Sequence, residues 1–213
     1  GTTRKLPDFT QQEGTTTVPL NLDSYESVFV VFAEPVKAGK SPKVGSVTNY
    51  PSPALLTEIS GPWNVSFDQK MRGPVNPVVM PRLQPWNEMP NDSVKYYSGT
   101  AVYTTGFDLV KLPANERILL DLGKLSAMSK VYVNGQYAGG VWTTPYELDI
   151  TQWVKEGRND LRVEVVNRLI GDSRLPASQR RTWTVVNPWR PDSPLQTSGL
   201  LGPVRVTAVA YEQ

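Results

Sequence analysis

Short runs of alternating apolar and polar residues, separated by prolines and glycines, dominate the chain. In residues 161–165 the apolar side chains fall on one face of an extended strand, which predicts a half-buried antiparallel strand, and residues 204–208 repeat the pattern. Asn134-Gly135 between residues 130–133 and 136–138 is the preferred dipeptide of a type I′ turn and predicts a hairpin. No stretch of about twelve residues carries the apolar stripe of a helix. The pattern therefore predicts strands, with few helices.

Other runs extend this prediction. Residues 28–32 and 118–120 are continuously apolar, so we expect both faces of these strands to be covered. Residues 97–107 form a further predicted strand, and Gly61-Pro62 divides 57–67 into two short pieces.

Four further segments carry other patterns. An Asp start and a Gly stop frame one or two helical turns in residues 149–157. The five-proline stretch 74–91 and the long stretch 171–202 read as loops, which either bind a ligand or pack against a neighbouring domain. Residues 34–53 are polar and rich in Pro and Gly, which predicts a linker between the end of a preceding β domain (1–33) and one domain at 54–213.

Composition narrows the chemistry. The chain has no cysteine and no histidine, which excludes disulfides, thiolate nucleophiles and imidazole-based triads or metal sites. Its net charge of +2 and the lack of a basic cluster argue against a nucleic-acid surface. No run approaches the ~18 apolar residues of a membrane span, and no positively charged start followed by an apolar core indicates a signal peptide. The start at Gly1, without Met, suggests a fragment of a longer protein.

A series of motifs resembles a known domain. The frame Val131-Tyr-Val-Asn-Gly135, Leu148-Asp-Ile-Thr151 and Gly157-Arg-Asn-Asp-Leu161 is similar to the galactose-binding-like jelly-roll domain of glycoside hydrolase family 2. The segments at 97–100, 167–172 and 198–204 resemble the C-terminal region of family 106 α-L-rhamnosidases, and residues 18–33 resemble the end of the domain that precedes it there.

The resemblance implies an all-β, galactose-binding-domain-like β-sandwich (jelly roll), with an N-terminal strand segment from a preceding β domain. In that family the catalytic carboxylates lie on an upstream (β/α)8 barrel, which 213 residues without βα alternation cannot supply. The resemblance therefore implies no catalytic residues in this chain. It also implies a catalytic barrel of the parent as partner, contact with carbohydrate, and a secreted or periplasmic location.

Aromatic residues are the first binding candidates, because sugar rings lay their C–H faces on Trp or Tyr while polar side chains hold the hydroxyls. Trp63 and Trp153 lie in or beside regular elements and are expected in the core, whereas Trp142 follows the hairpin and fits either role. The carbohydrate-binding candidates are Trp183, Trp189, Arg190, Trp142, Trp86, Arg168 and Asp172.

Carboxylates and a calcium ion are the other candidates for chemistry in this chain. Asp149 and Asp172 are expected to cap turns, and Arg168 with Asp172 at i+4 could form an ion pair. No cofactor is expected; a structural calcium held by loop carbonyls and carboxylates stays open, although no DxDxDG pattern demands it.

The main hypothesis is a non-catalytic accessory domain of a larger glycosidase, of the rhamnosidase type, acting on plant-type polysaccharide. The alternatives are a purely structural interdomain module and a small carboxylate-dependent hydrolase.

Overall fold

Strands joined by turns make up most of the computed structural model, which describes residues 3–22, 26–33, 35, 48–167, 178 and 194–210. Helix is scarce there, as predicted: a four-residue α-helix and two 3-10 turns, Gln69–Met71 and Trp86–Glu88, are the described helical elements. The elements in chain order are β1 (Thr10–Gln12), β2 (Thr15–Thr17), β3 (Ala54–Glu58), β4 (Trp63–Phe67), β5 (Val78–Met80), α1 (Asp92–Lys95), β6 (Thr100–Leu109), β7 (Arg117–Asp121), β8 (Lys124–Leu125), β9 (Met128–Val133), β10 (Gln136–Val141), β11 (Glu147–Asp149), β12 (Gly157–Val166), β13 (Leu200–Gly202) and β14 (Arg205–Val209).

Two antiparallel sheets form the body of the fold. The larger sheet has six strands in the order β10-β9-β12-β6-β4-β5, and the smaller has four in the order β11-β7-β14-β3. The short pairs β13-β8 and β1-β2 complete the described strands. Inward side chains of both sheets belong to one hydrophobic cluster, so the predicted all-β sandwich is confirmed.

Strand alternation places the core as the sequence predicts. Leu161, Val163 and Val165 of β12 are buried, and so are Val206 and Ala208 of β14. Inward apolar residues that alternate with outward polar ones are what a sheet with one solvated face requires.

The predicted hairpin is also confirmed. Strands β9 and β10 pair antiparallel around Asn134 and Gly135, whose φ angles of 51° and 80° are those that a type I′ turn needs. Asn134 is held further by its side-chain amide, which donates to the Trp153 carbonyl (2.8 Å) and to Asn159 Oδ1 (2.9 Å).

Some predictions are only partly met. The continuous run 118–120 is buried, but residues 28–32 form no strand, and Phe29 (98% exposed) and Val31 (78%) face outward. The expectation that 28–32 is covered on both faces is therefore wrong for the described chain. Residues 149–157 hold a hydrogen-bonded turn rather than a helix, with Trp153 N donating to the Ile150 carbonyl at 3.0 Å.

The N-terminal segment is tied to residue 49. Asn49 is buried; its side chain accepts from Asp8 N (2.8 Å) and donates to the carbonyls of Asp8 (2.8 Å) and Pro19 (3.2 Å). The predicted domain boundaries stay predictions, since residues 34 and 36–47 lie outside the described chain.

Candidate functional site

Most of the candidate residues belong to the stretch 168–193. Trp183, Trp189, Arg190, Arg168 and Asp172 lie outside the described residues, so their proposed roles stay predictions. The structure does place Trp86 and Trp142, and it places them in opposite environments.

Trp86 belongs to the core rather than to an exposed loop. Its side chain is fully buried, its indole Nε1 donates to Tyr103 Oη at 2.5 Å, and its ring packs edge-on against Phe67 (centroids 5.4 Å) and Tyr97 (5.7 Å). The stretch 74–91 therefore folds over the sandwich through β5 and the turn at Trp86–Glu88. Trp86 offers no face to a ligand, which corrects the expectation that it is a carbohydrate platform.

Glycine at position 199 makes the packing around Trp86 possible. Gly199 has φ +106°, and a Cβ there would lie 2.7 Å from Trp86 Nε1 and 2.8 Å from Tyr103 Oη. Tyr103 Oη also accepts from Leu200 N at 3.2 Å. Burial raises the pKa of Tyr103 to about 12, so this hydroxyl stays protonated near neutral pH.

Trp142 is exposed at one end of the larger sheet. Its side chain is 71% exposed, and the residue before it, Val141, pairs with Ser129 of β9. Ser129 also pairs with Val165 of β12, so β10, β9 and β12 reach this end together. We call Trp142, Met128 and Asn167 the tryptophan end.

The chain on both sides of residues 168–193 is anchored near the Trp86 cluster. Asn167 N donates to the Gly99 carbonyl (3.0 Å) and its side-chain amide to the Tyr97 carbonyl (2.8 Å). On the other side, the Ser198 carbonyl accepts from Trp86 N at 2.9 Å. The described residues that flank this segment therefore lie at the tryptophan end, on one side, and at the buried indole, on the other.

A row of side chains crosses the outer face of the larger sheet. Asn64 lies opposite Thr104, Thr104 opposite Arg162, Arg162 opposite Tyr132, and Tyr132 opposite Tyr137. We call these residues the transverse row. Neighbouring strands lie about 4.8 Å apart, so the row spans about 19 Å from β4 to β10.

A groove of about 620 Å³ lies along part of this row. Its lining includes Asn64, Thr104 and Arg162 of the row together with Gly106, Arg158 and Asp160. We call it the polar groove; it lies in the size range of small-molecule sites.

Charged side chains in and beside the polar groove hold one another in place. The Arg162 guanidinium lies 3.6 Å from the Tyr132 ring centroid and donates to Glu164 Oε1 at 2.5 Å. Arg158 donates to Asp108 Oδ2 at 3.1 Å, and its guanidinium lies over Gly106, in the space that a Cβ would take. The sequence-based predictions did not name these residues as binding candidates. The charged residues that alternate with apolar ones in 158–164 are the feature of the sequence that could have indicated them.

Two carboxylates of the described chain serve turns. Asp149 Oδ1 accepts from Thr151 N (3.0 Å) and from Thr151 Oγ1 (2.6 Å), and Asp121 Oδ1 accepts from Gly123 N (2.8 Å). The prediction that Asp149 caps a turn is confirmed.

Within the described part of the chain, no group of three or more carboxylates is arranged to hold a metal ion. No helix in the same residues is long and apolar enough to cross a membrane.

Comparison with known proteins places these features in context. A family described as glycosyl hydrolase 2 galactose-binding domain-like matches residues 84–197. A rhamnosidase from Novosphingobium sp. PP1Y has a similar structure, with TM-score 0.78 and 36% identity, over 94% of this chain and 19% of the rhamnosidase chain. The fold resembles that of a β-D-glucuronidase from Dictyoglomus thermophilum (TM-score 0.50, 20% identity, 71% of this chain and 27% of that chain).

A curated relative is described as a putative beta-glucuronidase of Formosa agariphila, 33% identical over 77% of this chain and 16% of its own length. The chain therefore spans less than a fifth of this relative and of the Novosphingobium enzyme.

Proposed function

Because the chain belongs to the glycosyl hydrolase 2 galactose-binding domain-like family, we propose that it is a non-catalytic accessory β-sandwich of a larger glycoside hydrolase and contacts carbohydrate. The observation that carries this proposal is the family match over residues 84–197, on a chain that spans 16% of one relative and 19% of another. Chemistry in such a parent belongs to parts outside this chain.

We further propose that the parent is of the rhamnosidase type, acts on plant-type polysaccharide and is secreted or periplasmic. The likeness to the Novosphingobium rhamnosidase, at 36% identity over 94% of this chain, supports the activity class. The relative described as a putative beta-glucuronidase supports a different activity class. Assays of the full-length parent on rhamnosides and on glucuronides would distinguish the two classes.

Titration of the chain with rhamnose-containing pectic oligosaccharides and with galactosides tests the carbohydrate contact. Saturable heats or chemical-shift changes are expected at millimolar sugar, which corresponds to a binding free energy of about −4 kcal/mol. No response at these concentrations would leave only a scaffolding role.

Hydrolysis assays test the non-catalytic part. The purified chain is expected to release no nitrophenol from nitrophenyl rhamnosides, galactosides or glucuronides. Turnover that is lost in Asp149→Asn or Asp172→Asn would instead identify a small carboxylate-dependent hydrolase.

A structural interdomain role is the second candidate, and one observation favours it. Phe29, Val31 and Phe32 are 98%, 78% and 70% exposed, and a groove of about 880 Å³ lies beside them with Leu6 and Phe9 in its lining. Exposed apolar residues in a continuous run are typical of contact surfaces.

The interdomain role predicts that Phe29→Ser with Phe32→Ser increases the solubility of the isolated chain and destabilises the full-length parent, with sugar affinity unchanged. Unchanged stability of the parent would contradict it.

A further inference from the structure

The transverse row and the polar groove combine features that a glycan needs. We propose that they form a binding site for a neutral oligosaccharide lying across the strands of the larger sheet, an inference that rests on the proposed carbohydrate contact. Four features support this site: its hydrogen-bonding capacity, its preorganisation, its charge and its aromatic surface.

Hydrogen-bond donors and acceptors lie side by side in the groove. Arg158 and Arg162 are donors only, whereas the Asp160 carboxylate is an acceptor only. Thr104 Oγ1 donates to the Asn64 carbonyl at 3.3 Å and keeps lone pairs that can accept. The side chains of Asn64 and Asp160 hydrogen-bond to no other residue in the described chain. Sugar hydroxyls both donate and accept, so this mixture matches them.

Each of the two guanidinium groups has a partner within the protein before a ligand arrives. Arg162 is held between the Tyr132 ring and Glu164, and Arg158 between Gly106 and Asp108. A fixed side chain loses less conformational entropy on binding than a free one. The remaining N–H groups of Arg162 therefore present donors from a restricted position. The Arg158–Asp108 pair is 63% and 64% exposed and restrains Arg158 less.

The charge balance selects a neutral ligand. Arg158 and Arg162 are offset by their partners Asp108 and Glu164. Asp160 adds a negative charge in the groove lining, whereas Lys130, opposite Glu164 on the same face, lies outside that lining. An anionic ligand would compete with existing ion pairs and meet the Asp160 carboxylate, which repels it. The site therefore disfavours uronates and phosphates.

Two tyrosines supply the apolar part of the site. Tyr137 is 55% exposed at the β10 end of the row, with its ring centroid 5.3 Å from that of Tyr132. The C–H face of a sugar packs on such a ring. Because the row spans about 19 Å, an oligosaccharide rather than a single sugar ring uses its full length.

The chain is titrated with two panels of tetrasaccharides, and binding is followed by isotope-edited NMR. One panel contains neutral galactan, arabinan and rhamnose-containing chains, and the other contains oligogalacturonate. The neutral panel should shift the amide signals of Gly106 and Gly135, which line the groove, and bind at least about tenfold more tightly than oligogalacturonate. Asp160→Ala and Tyr137→Ala should each weaken this binding about fivefold.

Lys130→Ala is the matched control, because Lys130 lies on the outer face of β9 two residues from Tyr132 but does not line the groove. It and Trp142→Ala should leave affinity within about twofold. Thermal unfolding of every variant checks that the fold is intact.

Each contrary outcome has a separate meaning. Saturable binding that is lost in Trp142→Ala but kept in Asp160→Ala and Tyr137→Ala would overturn the groove assignment and leave the proposed function standing. Tighter binding of oligogalacturonate would overturn the neutral class. No response to either panel at about 10 mM would remove the carbohydrate contact itself, and the groove assignment with it.

Discussion

The hydroxyl of Tyr103 should contribute more to the stability of the fold than one ordinary hydrogen bond. It accepts hydrogen bonds from Trp86 Nε1 (2.5 Å) and from Leu200 N (3.2 Å), and all three residues are fully buried. Tyr103→Phe keeps the ring, which stacks on Trp86 with an interplanar angle of 13°, and removes only the shared acceptor.

The magnitude follows from the donors that lose their acceptor. A buried donor without an acceptor costs about 1–3 kcal/mol, so two of them should lower the free energy of unfolding by about 2–6 kcal/mol. In a domain of this size, that corresponds to a fall in Tm of at least about 4 °C.

Urea unfolding followed by tryptophan fluorescence measures the effect, with Tyr137→Phe as the control. Tyr137 is 55% exposed, so its hydroxyl should contribute less than about 0.5 kcal/mol. A double-mutant cycle with Trp86→Phe should give a coupling energy of about 1 kcal/mol or more, because the indole N–H donates its hydrogen bond to the phenol oxygen. If Tyr103→Phe matches wild type within about 0.5 kcal/mol, or the coupling vanishes, the buried hydrogen-bond argument is wrong.

Three further predictions concern stability. Burial raises the pKa of Tyr103 from 10.0 to about 12, so between those pH values the unfolded chain loses this proton more readily than the folded chain. The difference in unfolding free energy between wild type and Tyr103→Phe should therefore narrow by about 2 kcal/mol from pH 9 to about pH 12 in urea titrations; a constant difference would contradict this. Asn159→Ala should cost about 2–4 kcal/mol in the same assay, since the buried Asn159 side chain donates to the Lys155 carbonyl (2.7 Å) and accepts from Lys155 N (2.9 Å); a loss below about 0.5 kcal/mol would refute this. Asn49→Ala should speed proteolysis within residues 3–22 while leaving that of β12 unchanged; equal rates in mutant and wild type would show that Asn49 does not hold the segment.

The sequence predicts the structure correctly where a single strand or a single turn determines it. The alternation in residues 161–165 determines which side chains face the core, and Asn134-Gly135 determines the hairpin. Both are local: the first depends on the two-residue period of a strand, and the second on two residues that tolerate positive φ.

Local sequence patterns do not predict which single residues are buried. Trp86 lies in a proline-rich stretch that has every local mark of an exposed loop, yet it is buried because residues 194–202 and β6 bring Gly199 and Tyr103 against it. Residues 28–32 carry the pattern of a buried strand, yet Phe29 is almost fully exposed because no described strand pairs with them. Burial depends on partners that are distant in sequence.

The composition and motif order of this chain determined its fold class and its exclusion from imidazole and thiol chemistry, because residue types and strand periods act locally. Only the tertiary structure decided the transverse row. Asn64, Thr104, Arg162, Tyr132 and Tyr137 come from different strands, and their alignment depends on the register of four strand pairings. A shift of one residue in any of those pairings would turn the affected side chains to the opposite face, so no single segment of the sequence contains the site.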